Sequence, residues 1–421
     1  MLPDISNPKK FNNNYNNITN QTMFEYKDFL IETDKFALNI GPSHPATHGV
    51  LRVLVKLDGE TVVNAEPIIG YLHTSMEKYA EFKTYHQAET ITDRMDYVSG
   101  ASNNLGYILA VEKLCGVKAP KRAEYVRVIL AELTRISSHL VWLATHAVDL
   151  GALTEFLYCF RERELILDII ETVTGARMTP SFYRVGGLAM DVNKDFFDKT
   201  RSFIKIFPDK ISEYESLLTK NKIWLERTKN LGIISAEDAV NFALTGPSLR
   251  GSGVKYDVRK ANPYSSYEDF DFEIPTGETG DVYDRYLVRI EEMRQSLKII
   301  SQAIENVPEG EYLSYDEYPA YVIPPKRRAL TTMEGMISLF KYGMEGIKPP
   351  KGEAYVSIEN PRGELGFYII SDGSAFPYRM RVRPPSFCNI SALNTMAKGH
   401  LVADLIAIMG SVDILLGEVD R

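Results

Sequence analysis

The chain has 421 residues, enough for a large core and, on length alone, for two or three domains; 44% hydrophobic and 25% charged residues are the balance of an ordinary globular protein. A net charge of −8 argues against a nucleic-acid binder, because phosphate contacts need a basic surplus. Cys115, Cys159 and Cys388 lie far apart with no CxxC pair, which disfavours a disulfide scaffold, a zinc ribbon or a self-contained iron–sulfur site and suits a reducing compartment.

Residues 1–33 contain the asparagine-rich tract "NPKKFNNNYNNITNQT", expected to be a mobile tail because it has little to bury. The N-terminus shows no charged-then-apolar signal, and no arginine precedes Arg52, against an Arg-rich transit peptide. Residues 36–70 read as strands, with apolar alternation in "VLRVLVKLDGETVVNAEP" broken by Asp58-Gly59, a strong hairpin signal.

Within this region "GPSHPATHGVLRVLV" (41–55) places His44 and His48 four residues apart. A helical metal pair would need both rings on one face. Pro45 between them, with Gly41, Pro42 and Gly49 around them, makes the segment a loop instead. A structural turn and a ligand-holding loop both remain open on this pattern.

From about 71 to 230 the pattern is mostly helical, with punctuation at Gly106, Pro120, Gly151 and Gly175. "TYHQAETITDRMDYVSG" (84–100) offers His86, Glu89, Arg94, Asp96 and Tyr97 just before a helix expected near 101. On pattern alone such a tyrosine is more often packing or surface than catalytic. The next helix is mostly apolar from 128 to 150, yet Glu132, Arg135, His139, Trp142, His146 and Asp149 follow each other at helical steps. This narrow polar stripe is either a solvated face or the polar lining of an internal cavity or proton path, since buried charges need partners.

Residues 245–280 form a Gly/Pro/Tyr-rich excursion. Its "GPSLRGSGVKYD" lacks the Lys-Ser/Thr of a phosphate loop, and no GxGxxG, HExxH or GxSxG occurs elsewhere. A charged amphipathic helix is expected at 281–306, a Pro-rich turn at 318–325, a further helix at 331–344 and strands over 351–384. "LVADLIAIMGSVDILLG" (401–417) is too short, and too charged at Asp404 and Asp413, to span a bilayer, so a buried helix or strand–turn element is expected. The pattern predicts one α+β domain over 34–421, with a β-hairpin region at 34–70, a mainly helical core at 71–345 and a β-rich C-terminal part at 346–421.

Taken together, "GPSHPATHGVLR", "GYLHTSMEK", "DRMDYVSG", "RVILAELTRISSHLVWL", "DLGALTEFLYCFRERE", "LRGSGVKYDVRK" and "GSVDILLGEVDR" resemble the 49-kDa (D) subunit family of respiratory complex I, the proton-pumping NADH:quinone oxidoreductase. The resemblance runs from about residue 36 to the end. It implies the fold of the [NiFe]-hydrogenase large subunit, a central helical bundle with β-sheet edges. The hydrogenase metal site needs four cysteine thiolates, and neither "TDRMDYVSG" nor "GSVDILLGEVDR" contains any, so that activity is rejected.

The same resemblance implies a quinone headgroup site, with quinone as substrate beside a 4Fe-4S cluster held by the partner B subunit. His48 and Tyr97 match the family's quinone-binding pair, Asp149 the carboxylate behind that histidine in a proton relay, and Arg94 an arginine beside the cluster. His44 and His139 are further candidates for polar lining, and no metal is assigned to this chain. Thr179 stands where many members carry a cluster-adjacent histidine, so a weak pH dependence of the cluster potential is expected. Partners would be the B and C subunits and the membrane-arm subunits. The location would be peripheral, on the cytoplasmic side of a bacterial membrane or the matrix side of the mitochondrial inner membrane. A non-catalytic scaffold and a ferredoxin-driven quinone reductase are the alternatives.

Overall fold

The computed structural model describes residues 36–421, so the tail expected at 1–33 lies outside the described residues. Strands β1 (Phe36–Ile40), β2 (Arg52–Asp58) and β3 (Thr61–Ile68) form an antiparallel sheet in the order 1-2-3. Along β2 the buried Val53, Val55 and Leu57 alternate with less buried neighbours, the period-two pattern of a sheet with one covered face. Asp58 pairs with Thr61 across the turn, where Gly59 takes a φ of 60°. The hairpin lies where the Asp-Gly pair predicts it.

The centre is helical. Helix α1 spans Gly100–Cys115, α2 Lys121–Asp149, α3 Leu153–Thr174, α4 Lys194–Leu218 and α5 Val282–Asn306. Helix α2 has 29 residues, about 44 Å at 1.5 Å per residue, and packs against both α3 and α5. Buried apolar residues such as Val128, Ile129, Leu133, Ile136, Leu140 and Leu143 surround its polar positions. Each such side chain contributes roughly 1.5–3 kcal/mol of burial, which is what keeps the ionisable residues of the same helix inside.

The helix expected at 331–344 is two helices, Lys326–Thr331 and α6 (Met333–Met344). Thr332 breaks them apart with extended backbone (φ −127°, ψ 148°), and its hydroxyl accepts from Gly335 N at 3.1 Å to start the second. A Cβ at Gly335 would stand 2.5 Å from the Arg328 carbonyl oxygen, so the close approach of the two helices needs glycine there.

Strands β4 (Gly352–Asn360), β5 (Gly363–Ser371) and β6 (Arg379–Arg383) form a second antiparallel sheet packed on α1, where Gly106 admits the ring of Phe367. Helix α7 (Val402–Ser411) and the short helix Leu416–Asp420 close the chain. The mixed α+β architecture matches the sequence expectation. The buried apolar residues fall into two clusters. One fills the helical centre and the second sheet; the other joins the first sheet to α7 and the C-terminal segment.

Candidate functional site

The loop at 41–51 is a tight device built from its own side chains. His44 caps a single 3-10 turn, Pro45–Thr47, by accepting from Ala46 N at 3.2 Å on Nδ1. The buried Thr47 hydroxyl donates to the His44 carbonyl at 2.8 Å. His48 ends the turn in the left-handed region at φ 55°. The two histidines therefore occupy opposite ends of a turn rather than one face of a helix. Gly41 (φ 78°) lets the loop close, because a Cβ there would lie 2.2 Å from the Leu51 carbonyl oxygen.

The second contributing segment follows the short helix Tyr85–Thr92. Asp96 is buried and accepts from Ser99 N at 3.0 Å, which folds the 93–99 turn and leaves the next residue, Tyr97, 45% exposed. The other oxygen of Asp96 accepts from Arg362 Nη1 at 2.7 Å. Arg362 lies in the β4–β5 turn and is itself buried; Nη1 also reaches Ser138 at 3.3 Å, and Nη2 reaches Asp413 at 3.4 Å. Asp413 sits just past α7 at φ 53°. Glu418 completes the group, accepting from the Ser386 hydroxyl, with its carboxyl pushed up to about 8 by burial and by Asp96. Gly417 lets the C-terminal segment lie against the 94–95 backbone, since a Cβ there would be 2.8 Å from the Met95 carbonyl oxygen.

His48 and Tyr97 both lie within electrostatic reach of this cluster. Burial lowers the His48 pKa, Asp413 pulls it back up and Arg362 lowers it further. Although solvent reaches the residue, enough protein surrounds the ring for burial to be the largest influence. Burial raises the Tyr97 pKa, Arg362 opposes that, and Asp96 and Asp413 reinforce it. At neutral pH both groups are therefore uncharged hydrogen-bond donors, an imidazole and a phenol, beside an arginine that can balance negative charge.

The remaining sequence candidates separate. Asp149 is half-buried, its carboxyl raised by burial and lowered by the His44 imidazolium. The carboxylate expected behind His48 thus acts on His44, and the acid acting on His48 is Asp413. Arg94 is exposed, with its guanidinium turned back on the Thr90 carbonyl in a surface depression of about 420 Å³ shared with Thr74, Met76 and Tyr79. Thr179 (φ 50°) lines a small crevice with Tyr97, Arg163 and Arg177.

His139 belongs to the interior of α2, not to this surface. Its Nε2 lies 2.8 Å from the Glu292 carboxylate, and both residues are buried. The polar stripe as a whole is not a solvated face: Glu132, Arg135, His139 and His146 are all buried. Glu132 accepts from Tyr267 at 2.6 Å, Ser296 at 2.7 Å, and Arg135 and Arg259 at 3.1 Å, which holds its carboxyl down to about 2. The excursion at 245–280 supplies the counter-charges, with Arg250 pairing Glu359 at 2.8 Å and Arg259 pairing Asp257 at 2.6 Å.

Sequence reasoning missed Arg362 and gave Asp413 no role. Asp413 had one usable signal, an acid inside an otherwise apolar run. Arg362 had none, because its partners lie 266 and 51 residues away.

An α+β chain of this size, with a buried acid–arginine cluster beneath a histidine and a tyrosine, fits a redox subunit that works on a small organic acceptor. A family model described as "Respiratory-chain NADH dehydrogenase, 49 Kd subunit" matches residues 149–421. The D subunit of NADH-quinone oxidoreductase from Geotalea uraniireducens is 55% identical over 392 residues, covering 93% of this chain and all of the relative. The D subunit from Geobacter sulfurreducens is 53% identical with the same coverage, and a second-copy D subunit from Chloroflexus aurantiacus is 56% identical over 92% of this chain and 95% of its own length. The chain belongs to the 49 kDa subunit family of the respiratory-chain NADH dehydrogenase.

Proposed function

We propose that this chain forms the quinone headgroup site of a multi-subunit NADH:quinone oxidoreductase, with His48 and Tyr97 as the two donors to the quinone oxygens. The observation that carries the reading is that both residues, from separate segments, interact electrostatically with the same Arg362 and Asp413. Reducing a quinone adds two electrons and two protons, and its oxygens gain negative charge before they are protonated. Electrons would arrive from the 4Fe-4S cluster of the B subunit, toward which the exposed Arg94 would face.

The residues divide the work. Tyr97 is protonated at neutral pH, so its phenol can hydrogen-bond to one oxygen and then release its proton. Arg362 favours the phenolate left behind. His48 is neutral because burial lowers its pKa, so it orients the second oxygen through its N–H and delivers a proton only after being protonated itself. Asp149 and His44 form a second acid–imidazole couple at the other end of the same turn, available to relay the charge change. That relay would couple the chemistry to proton translocation.

Among the described residues no helix is long and apolar enough to cross a membrane. Quinone would therefore reach this site through membrane-arm partners, with the chain peripheral on the cytoplasmic or matrix side. The B and C subunits would be its neighbours in the peripheral arm.

Tyr97→Phe in assembled membranes tests the reading. NADH:quinone reduction should fall at least about 10-fold, roughly 1.4 kcal/mol of transition-state stabilisation, while NADH:ferricyanide activity holds. Survival of both activities would make Tyr97 a packing residue and remove the headgroup from this position.

A further inference from the structure

Arg289 of α5 is a buried cation that the proposed quinone chemistry does not use. Its guanidinium carbon lies 4.2 Å from the centre of the Trp142 ring, and Nη1 donates to the Arg285 carbonyl at 3.1 Å. Nε and Nη2 have no protein partner although the side chain is 1% exposed. Among the described residues no carboxylate forms an ion pair with it. A buried arginine held by an aromatic face and one carbonyl keeps its charge unspent, and in a medium of low polarity that charge acts at a distance.

Two acids feel it most. Asp413, in the cluster beneath His48 and Tyr97, is the foremost charge favouring the protonated guanidinium, and Glu292, the partner of His139, follows. Burial still brings Arg289 down to about 10, helped by Arg362 from the β4–β5 turn and Arg250 from the short helix Pro247–Gly251. On its own helix it faces Arg285, and on α2 it faces His139 and His146. His146, with neither ring nitrogen partnered, is pressed down to about 3 by burial and these arginines, so it adds no charge of its own. Arg289 therefore stands between two sets of groups that no direct ion pair joins, the Asp96–Arg362–Asp413 cluster and the Glu292–Arg250–His139 network.

We propose that Arg289 is a positioning residue for quinone reduction, the second cation on Asp413, which steadies the acid–arginine cluster under His48 and Tyr97 and ties its charge to the network inside α2. The proposal rests on the headgroup site lying at His48 and Tyr97. Removing the cation makes every acid it faces easier to protonate. Loss of activity on the acid side should therefore begin at higher pH.

The experiment compares Arg289→Gln and Arg289→Lys in the assembled enzyme with a short-chain quinone, recording ferricyanide activity and the pH profile of kcat/KM. Arg289→Gln should keep ferricyanide activity within about two-fold and move the acid limb up by about one pH unit. Arg289→Lys, which keeps the charge but loses the planar stack, should restore the limb to its original position even if kcat stays reduced. An unmoved limb in Arg289→Gln, or an equal displacement in both variants, would reduce Arg289 to a packing residue and overturn the proposal. If Arg289→Gln does not assemble, the lysine variant decides alone: an acid limb displaced upward despite the retained charge would likewise overturn it, and an unmoved limb would uphold it. Tyr97→Phe measured alongside separates the two readings. An inert Tyr97→Phe removes the headgroup assignment, whereas the Arg289 limb reports the charge coupling whichever donor is used.

Discussion

At the scale of single residues, the two histidines of one short turn have different roles because they sit at its two ends. His44 accepts a backbone hydrogen bond through Nδ1 and influences Asp149; His48 closes the turn and feels Asp413. Four-residue spacing in the sequence suggested a pair, and Pro45 gave the reason they are not one. Which acid serves which ring was not readable, because nothing local links residue 48 to residue 413. The expected relay through Asp149 consequently starts at His44. If that couple carries the charge signal, Asp149→Asn should reduce quinone at close to the native rate while moving fewer protons per electron. Proton-pumping stoichiometry in reconstituted vesicles measures this, and an unchanged ratio would take Asp149 out of the relay.

At the scale of elements, α2 shows what periodicity can and cannot reveal. The helical steps from Glu132 to Asp149 identified a stripe correctly, but a stripe reads the same whether water or protein faces it. The deciding fact is that "LRGSGVKYDVRK", which looked like a loop excursion, folds inward and brings Arg250, Asp257 and Arg259 to Glu132, Glu292 and Glu359. Glu132 carries the sharpest consequence. Its folded pKa of about 2 lies below the ordinary 4.5, so its stabilisation is fully present above pH 4.5 and is lost as pH falls toward 2. Glu132→Gln leaves Arg135 and Arg259 short of a counter-charge and should cost about 3–5 kcal/mol at neutral pH. Thermal denaturation of the assembled complex at pH 7 checks it; a melting temperature equal to the native one would show that the network does not depend on this acid.

At the scale of the whole molecule, the candidate site hangs on both apolar clusters. Leu51, next to the His48 turn, belongs to the cluster around the first sheet, and Met95, next to Tyr97, belongs to the helical centre. The spacing of the two donors is thus set by how the two clusters meet, and Arg362 with Asp96 and Asp413 ties them together across that meeting. The sequence displayed the parts of this arrangement as separate motifs, a hairpin, a polar stripe and an acid in an apolar run. Their convergence depends on contacts between distant residues, which no periodicity encodes. The exposed Met333, Met336, Phe340 and Met344 of α6 likewise suit a chain that works inside a larger assembly, as the names of its relatives state.

The central claim is that quinone binds between the His48 turn and the Tyr97 segment, and covalent mapping tests it most directly. A photoreactive azidoquinone activated in membranes holding the native enzyme, followed by digestion and mass spectrometry, reports which peptides line the headgroup. Labels confined to residues 41–51 and 93–101, and lost in competition with unmodified quinone, are the predicted result. Competable labelling that falls on other segments and spares both of these would contradict the account.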